Sequence, residues 1–237
     1  PARHSLTYQG HEWLDPSFPT LQPKLWWNPW SGGISSGLAE IRPHSLAKET
    51  TKADFANLID NKGNKWQGIK LSTTIEQNEE FKGLTTHQYF LTLPGVPILC
   101  HVSELDQQTG KFFNGKVWQS TAFLKSDEVM ENNWVNLQDK TGKWLKLVAG
   151  KDENDLSGDR NLIVGSYNRK EHLQLISNVE NTMREVYINK TVMLTGAWEK
   201  LNVPSNSTQF TKPNFYIFTD TVIDDKAQYD LQEICFK

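Results

Sequence analysis

Gly83-Leu84-Thr85-Thr86-His87-Gln88-Tyr89-Phe90-Leu91-Thr92-Leu93-Pro94-Gly95 is the stretch that decides the fold. Leu84, Thr86, Gln88 and Phe90 interleave with Thr85, His87, Tyr89 and Leu91. A strand places these two sets on opposite faces, and Pro94-Gly95 ends it. Upstream, Phe55–Ile59 runs into Asp60-Asn61-Lys62-Gly63-Asn64, and Lys65–Thr74 resumes a strand pattern, which reads as a hairpin. Thr51 and Asp54 also fit a helical capping box over Thr51–Ile59, but the adjacent hairpin signal argues for a strand.

The same rhythm continues downstream. Val96–Leu105 is followed by a turn at Asp106–Gly110 and a strand at Val117–Leu124. Trp134–Gln138, Lys143–Ala149, Asn161–Tyr167, His172–Val179, Thr182–Ile188, Thr191–Leu201 and Asn214–Thr219 complete the series. The periodicity supports no helix longer than about ten residues. About a dozen strands at this spacing predict an all-β fold, a large two-sheet β-sandwich with the core between the layers. The polar run Lys151–Asp159 reads as a loop, and no boundary is placed there. Residues 1–237 are expected to form one sandwich domain, with residues 1–24 as an extended N-terminal segment.

Composition narrows the function. The 237 residues carry a net charge of −3, which disfavours nucleic acid as a partner because phosphate binding wants a positive surface. No apolar run approaches the ~18–20 residues of a membrane-spanning helix, so no membrane partner is expected. The chain opens Pro-Ala-Arg, which reads as a processed product or a piece of a larger chain with further domains. Cys100 lies in an apolar run and reads as a buried free thiol, with Cys235 far away in sequence.

Leu25-Trp26-Trp27-Asn28-Pro29-Trp30-Ser31-Gly32-Gly33 gathers three of the nine tryptophans. Indole faces stack on sugar rings, and their N–H groups donate one hydrogen bond. One reading is therefore a carbohydrate platform; the other is an aromatic plug sealing the end of the sandwich. Arg42 leaves this cluster alternating with Glu40 and would fork onto sugar hydroxyls or a carboxylate, or else form a surface pair.

Three segments resemble the galactose mutarotase-like supersandwich family, which includes aldose 1-epimerases. They are Lys65-Trp66-Gln67-Gly68-Ile69-Lys70-Leu71, the His87 strand above, and Asn181-Thr182-Met183-Arg184-Glu185-Val186-Tyr187 with Val192-Met193-Leu194-Thr195-Gly196. In the second, Thr86 stands where the family usually has Asn. The resemblance implies a supersandwich, a sugar ligand, and His87 as the acid or base that opens a sugar hemiacetal. The family's partner Glu has no counterpart in Asn214–Asp220, where Asp220 is the nearest acid.

The expected function is thus a carbohydrate-recognising domain, non-catalytic or divergent, with Trp26, Trp27, Asn28, Trp30, Arg42 and Tyr89 around the ligand and His87 beside them. A sugar epimerase using His87 and a structural or interaction module of a larger protein are the alternatives. No cofactor is expected. No His or Cys pair has metal-ligand spacing, and Leu156 interrupts the oxygen-rich run from Asp152 to Asp159, so no metal is expected.

Overall fold

The computed structural model describes residues 2–17, 19–24, 27–38, 46, 49–139, 141–151, 153–158, 161–178 and 183–237. Nineteen strands are described. The first five are β1 (Thr7–Tyr8), β2 (His11–Glu12), β3 (Gln22–Lys24), β4 (Trp27–Trp30) and β5 (Ile34–Leu38). Next come β6 (Thr51–Ile59), β7 (Lys65–Thr74), β8 (Thr85–Thr92), β9 (Ile98–Gln107) and β10 (Phe113–Phe123). Then follow β11 (Asn133–Gln138), β12 (Trp144–Val148), β13 (Asn154–Gly158), β14 (Asn161–Ser166) and β15 (His172–Ser177). The last are β16 (Met183–Ile188), β17 (Met193–Val203), β18 (Ser207–Phe210) and β19 (Asn214–Thr219), before a single described α-helix, α1 (Asp225–Gln232).

Two antiparallel sheets build the expected all-β sandwich. The larger has ten strands, in the order β12-β11-β14-β15-β19-β9-β8-β7-β6, with β18 also paired to β9; the smaller runs β13-β16-β17-β10-β5. Between them lies a core in which Phe90, Leu99, Leu175 and Tyr216 of the large sheet meet Ala122, Val186 and Met193 of the small one. The outer face of the large sheet holds a second apolar layer, Trp66, Leu91, Cys100 and Phe215, roofed by Ile234 and Phe236. Both faces are covered, so nearly every residue of β14, β15 and β19 is buried, the polar Gln174 and Ser177 included.

The hairpin of β6 and β7 has the predicted turn and the predicted β7, while β6 starts at Thr51, four residues before the predicted Phe55. Its Asp60 carboxylate accepts from the backbone N–H groups of Lys62 and Asn64, each at 2.9 Å, and from Trp66 Nε1 at 2.9 Å. Burial pushes the Asp60 pKa up, but the donors of Trp66, Asn64 and Lys62 outweigh it and hold the carboxyl below its usual range. The Gly32-Gly33 pair has a packing cause. Both residues have positive φ, and a Cβ on either would overlap the backbone of Asp15 or Arg3. This close approach lets Arg3 and Ile34 exchange two 2.8 Å backbone hydrogen bonds. The N-terminal segment thereby docks Leu6, Trp13 and Leu14 into the main core.

One expectation is corrected. Within the predicted loop Lys151–Asp159, Asn154–Gly158 forms β13, paired antiparallel to β16 with Leu156 opposite Val186. As the edge strand of its sheet it pairs on one side only, so its polar residues carry little strand signal. Cys100 and Cys235 are both free thiols.

Candidate functional site

Four strands bring a polar row together on the outer face of the large sheet. Ser72 of β7 stands opposite His87 of β8, His87 opposite Glu104 of β9, and Glu104 opposite Phe210 of β18. Period-two alternation sends these side chains outward, because Gln88 and Phe90 point inward: Gln88 Oε1 accepts from Ser36 N–H of the small sheet at 3.0 Å, and Phe90 belongs to the main core. Tyr89 and Lys70 form the neighbouring row. His87 and Glu104 are half-buried, so the patch opens to solvent.

Its hydrogen bonds are specific. His87 Nδ1 lies 2.8 Å from Ser72 Oγ. Tyr89 Oη donates to Glu104 Oε2 at 2.6 Å. The Tyr89 ring sits 6.4 Å from the His87 ring and 5.7 Å from Phe210. Burial pushes the His87 pKa down; Glu104 pulls it up, Lys70 down and Asp106 up, and the net is below the usual value. The imidazole is therefore predominantly neutral at pH 7 and offers both a donor and an acceptor. Tyr89 is pushed far up by burial and by Glu104, so it remains a phenol.

The tryptophan cluster is elsewhere. Trp30 is 3% exposed and packs with Phe123, Tyr187 and Val192. Its ring makes an edge contact with Phe123 at 5.4 Å, and Lys24 Nζ lies 4.2 Å from its centroid. Phe123 and Tyr187 flank the inward-facing Ala122, Val186 and Ile188 in sequence, so Trp30 covers the outer face of the small sheet. Both sheets separate it from His87. The single cleft expected to unite indoles and imidazole is therefore not formed around Trp30. Trp26 and Arg42 fall outside the described residues, and of Trp27 and Asn28 only the backbone is described, in β4 beside Trp30. His87 and Tyr89 are the two predicted site residues that come together. Asp220 follows β19 and lies near His172, away from His87.

Sequence reasoning missed Glu104 and Phe210, which only strand register brings beside His87. It also missed a buried polar file. Arg184 Nη2 donates to Asn214 Oδ1 at 3.3 Å, Asn214 Nδ2 donates to Gln119 Oε1 at 3.0 Å, and Gln119 Nε2 donates to Glu199 Oε2. Glu199 also accepts from the Lys212 N–H at 3.1 Å. Burial pushes Glu199 up to about 7 and Arg184 down to about 10. Alternation places both residues inward, but nothing in the sequence pairs them. Among the described residues no group of His, Cys, Asp and Glu has the geometry to hold a metal ion, and no helix is long and apolar enough to cross a membrane.

No protein-family model matches the chain, and no curated protein matches it. Solved structures do. A TPR-domain containing protein from Parabacteroides distasonis ATCC 8503 is 10% identical with a TM-score of 0.63, over 92% of this chain and 43% of that one. The Slr1438 protein from Synechocystis sp. PCC 6803 is 11% identical with a TM-score of 0.55, over 92% and 88%. The alpha-galactosidase from Lactobacillus brevis is 9% identical with a TM-score of 0.51, over 79% of this chain and 27% of that one. This chain thus spans less than half of the first and about a quarter of the third. At these identities the likeness is one of fold: the chain is similar to β-sandwich portions of known proteins, including one within a carbohydrate-active enzyme.

Proposed function

We propose that the chain is a divergent galactose mutarotase-like domain that recognises carbohydrate through the outer face around His87. The observation that carries this reading is the cross-strand row Ser72, His87, Glu104 and Phe210, with Tyr89 beside it. A sugar presents hydroxyls that need both donors and acceptors, and an apolar ring face that lies on an aromatic. The neutral imidazole, the Glu104 carboxylate and the Phe210 ring supply these within one open patch. The fold similarity to part of an α-galactosidase agrees with the reading but concerns architecture.

Isothermal titration against neutral mono- and oligosaccharides tests it. Binding is expected for the unaltered chain and should be lost in His87→Ala and in Phe210→Ala. No heat with any sugar, or binding indifferent to both changes, sinks the reading.

A catalytic variant of the same proposal has one observation in its favour. Glu104 is the register partner of His87, so an acid and a base stand side by side on the face. Polarimetry on fresh α-glucose and α-galactose decides it. Anomerisation no faster than buffer, or equally fast with His87→Ala, leaves recognition without catalysis.

A further inference from the structure

β6 is one edge of the ten-stranded sheet and pairs with β7 on one side only. Its register with β7 runs unbroken from Thr51 to Ile59, with no bulge and no proline. The turn fixes which backbone groups are free. Asp60 N–H donates to the Asn64 carbonyl at 3.2 Å, toward β7. Backbone groups alternate in direction along an antiparallel strand, so those of Lys52, Asp54, Ala56 and Leu58 also face β7. Those of Thr51, Ala53, Phe55, Asn57 and Ile59 point off the edge, a row of donors and acceptors that templates another strand. The side chains beside this row are apolar where they are most exposed. β5, the edge of the small sheet, lies over β8, because Ser36 N–H donates to Gln88 Oε1 at 3.0 Å. β6 and β7 therefore overhang the sandwich, and on their inner face Phe55 stands opposite Ile69, 94% and 41% exposed. On the outer face Asp54 stands opposite Lys70, so a cation of the same hairpin already lies beside it.

We propose that β6 pairs antiparallel with β6 of a second copy of this chain, about a two-fold axis at Phe55. A second copy fits because the axis maps the outward set 51, 53, 55, 57 and 59 onto itself, so each free N–H and C=O meets its complement. All nine residues of the strand pair. Phe55 meets Phe55 of the second copy, and the Ile69–Phe55 row continues through the axis as one apolar band of four side chains. Lys52 faces Leu58 and Asp54 faces Ala56 of the other strand, so no like charges stand opposite each other. Two phenyl rings of roughly 150 Å² each, the flanking Ile59 and Ile69 and the backbone edges cover on the order of 1,000 Å², the lower bound of a specific interface, which makes the dimer a weak one. The axis leaves the outer face around His87 open, so this inference stands apart from the sugar reading.

Sedimentation velocity of the whole chain between about 5 and 500 µM tests the proposal, and a monomer–dimer equilibrium is expected in that range. Asn57→Pro removes one outward N–H and leaves the bonds of β6 to β7 in place. Phe55→Lys removes the ring and sets two like charges at the axis. Each should raise the dissociation constant tenfold or more. Both residues are exposed, so circular dichroism of each variant should match the unaltered chain. A chain that stays monomeric at the highest concentration overturns the proposal. So does a dimer undiminished in either folded variant, or assembly beyond two copies, which a closed two-fold pairing forbids.

Discussion

Arg184 and Glu199 make no direct contact, yet a continuous file of hydrogen bonds joins them through Asn214 and Gln119. Every link donates in the same direction, from the cation toward the carboxyl. Two carboxamide dipoles thus align between opposite charges, and each bond polarises the next. The arrangement gives a buried guanidinium an electrostatic partner without an ion pair. Its loss leaves a cavity and an acceptor on Asn214 with no donor. Arg184→Ala is expected to destabilise the fold by about 3–5 kcal/mol, read by urea unfolding.

Glu199 makes stability depend on pH in a definite direction. Burial raises its folded-state pKa to about 7, whereas an unfolded Glu titrates near 4.3. Between these values the folded chain holds a proton that the unfolded chain has released. Stability from this group is therefore present below about pH 4 and is lost as pH rises toward 7, by up to about 3 kcal/mol. Glu199→Gln should abolish that slope, so urea unfolding at pH 5 and pH 7.5 should show the variant gaining on the unaltered chain at the higher pH.

His101 acts in the opposite sense. Burial pushes its pKa down to about 3; the ring stacks on Phe90 at 4.5 Å and bonds Ser120 at 2.9 Å. An unfolded His takes a proton near pH 6.5, so the unfolded state binds more protons below that value. Acidification from pH 6.5 to 4.5 should cost about 2 kcal/mol through this residue. His101→Gln should remove that contribution alone, so the stability gap between the variant and the unaltered chain should narrow by about 2 kcal/mol between pH 6.5 and 4.5.

Trp30 should behave as a core residue. Trp30→Ala is expected to lower stability by about 3–5 kcal/mol and to leave ligand binding on the His87 face unchanged, measured by thermal unfolding and titration on the same sample. A loss of sugar affinity without a loss of melting temperature would restore the indole platform.

Gly165 offers a sharper local test. It faces Trp134 across the β11–β14 pair, and a Cβ there would enter the indole ring. Gly165→Ala should push Trp134 outward, red-shift tryptophan emission and destabilise by about 1–3 kcal/mol, the usual cost of overpacking.

Much of the fold was legible because alternation and turn chemistry acted locally. β7 and β19 carry the predicted bounds and β6 the predicted end, since Asp60-Asn61-Lys62-Gly63 closes one hairpin and an apolar run defines the other strand. β13 was not legible, because its pairing with β16 comes from tertiary contact and not from its own polar residues. The site was legible only in part. His87 and Tyr89 share a face by period, but Glu104 and Phe210 arrive by register between strands distant in sequence. In the tryptophan motif the glycines serve close backbone packing with Arg3 and Asp15 and the Trp30 indole is buried, and sequence alone does not distinguish a packed indole from an exposed one.

The tie between the turn at Asn61 and the tail has a consequence for biosynthesis. Asn61 Oδ1 accepts from Cys235 N–H and its Nδ2 donates to the Glu233 carbonyl, contacts spanning 174 and 172 positions. This latch helps to hold Ile234 and Phe236 over Trp66 and Cys100. A ribosome must therefore deliver residues 234–236 before the earliest long hairpin can hide its indole. Until then the nascent chain displays a greasy surface that a chaperone would recognise.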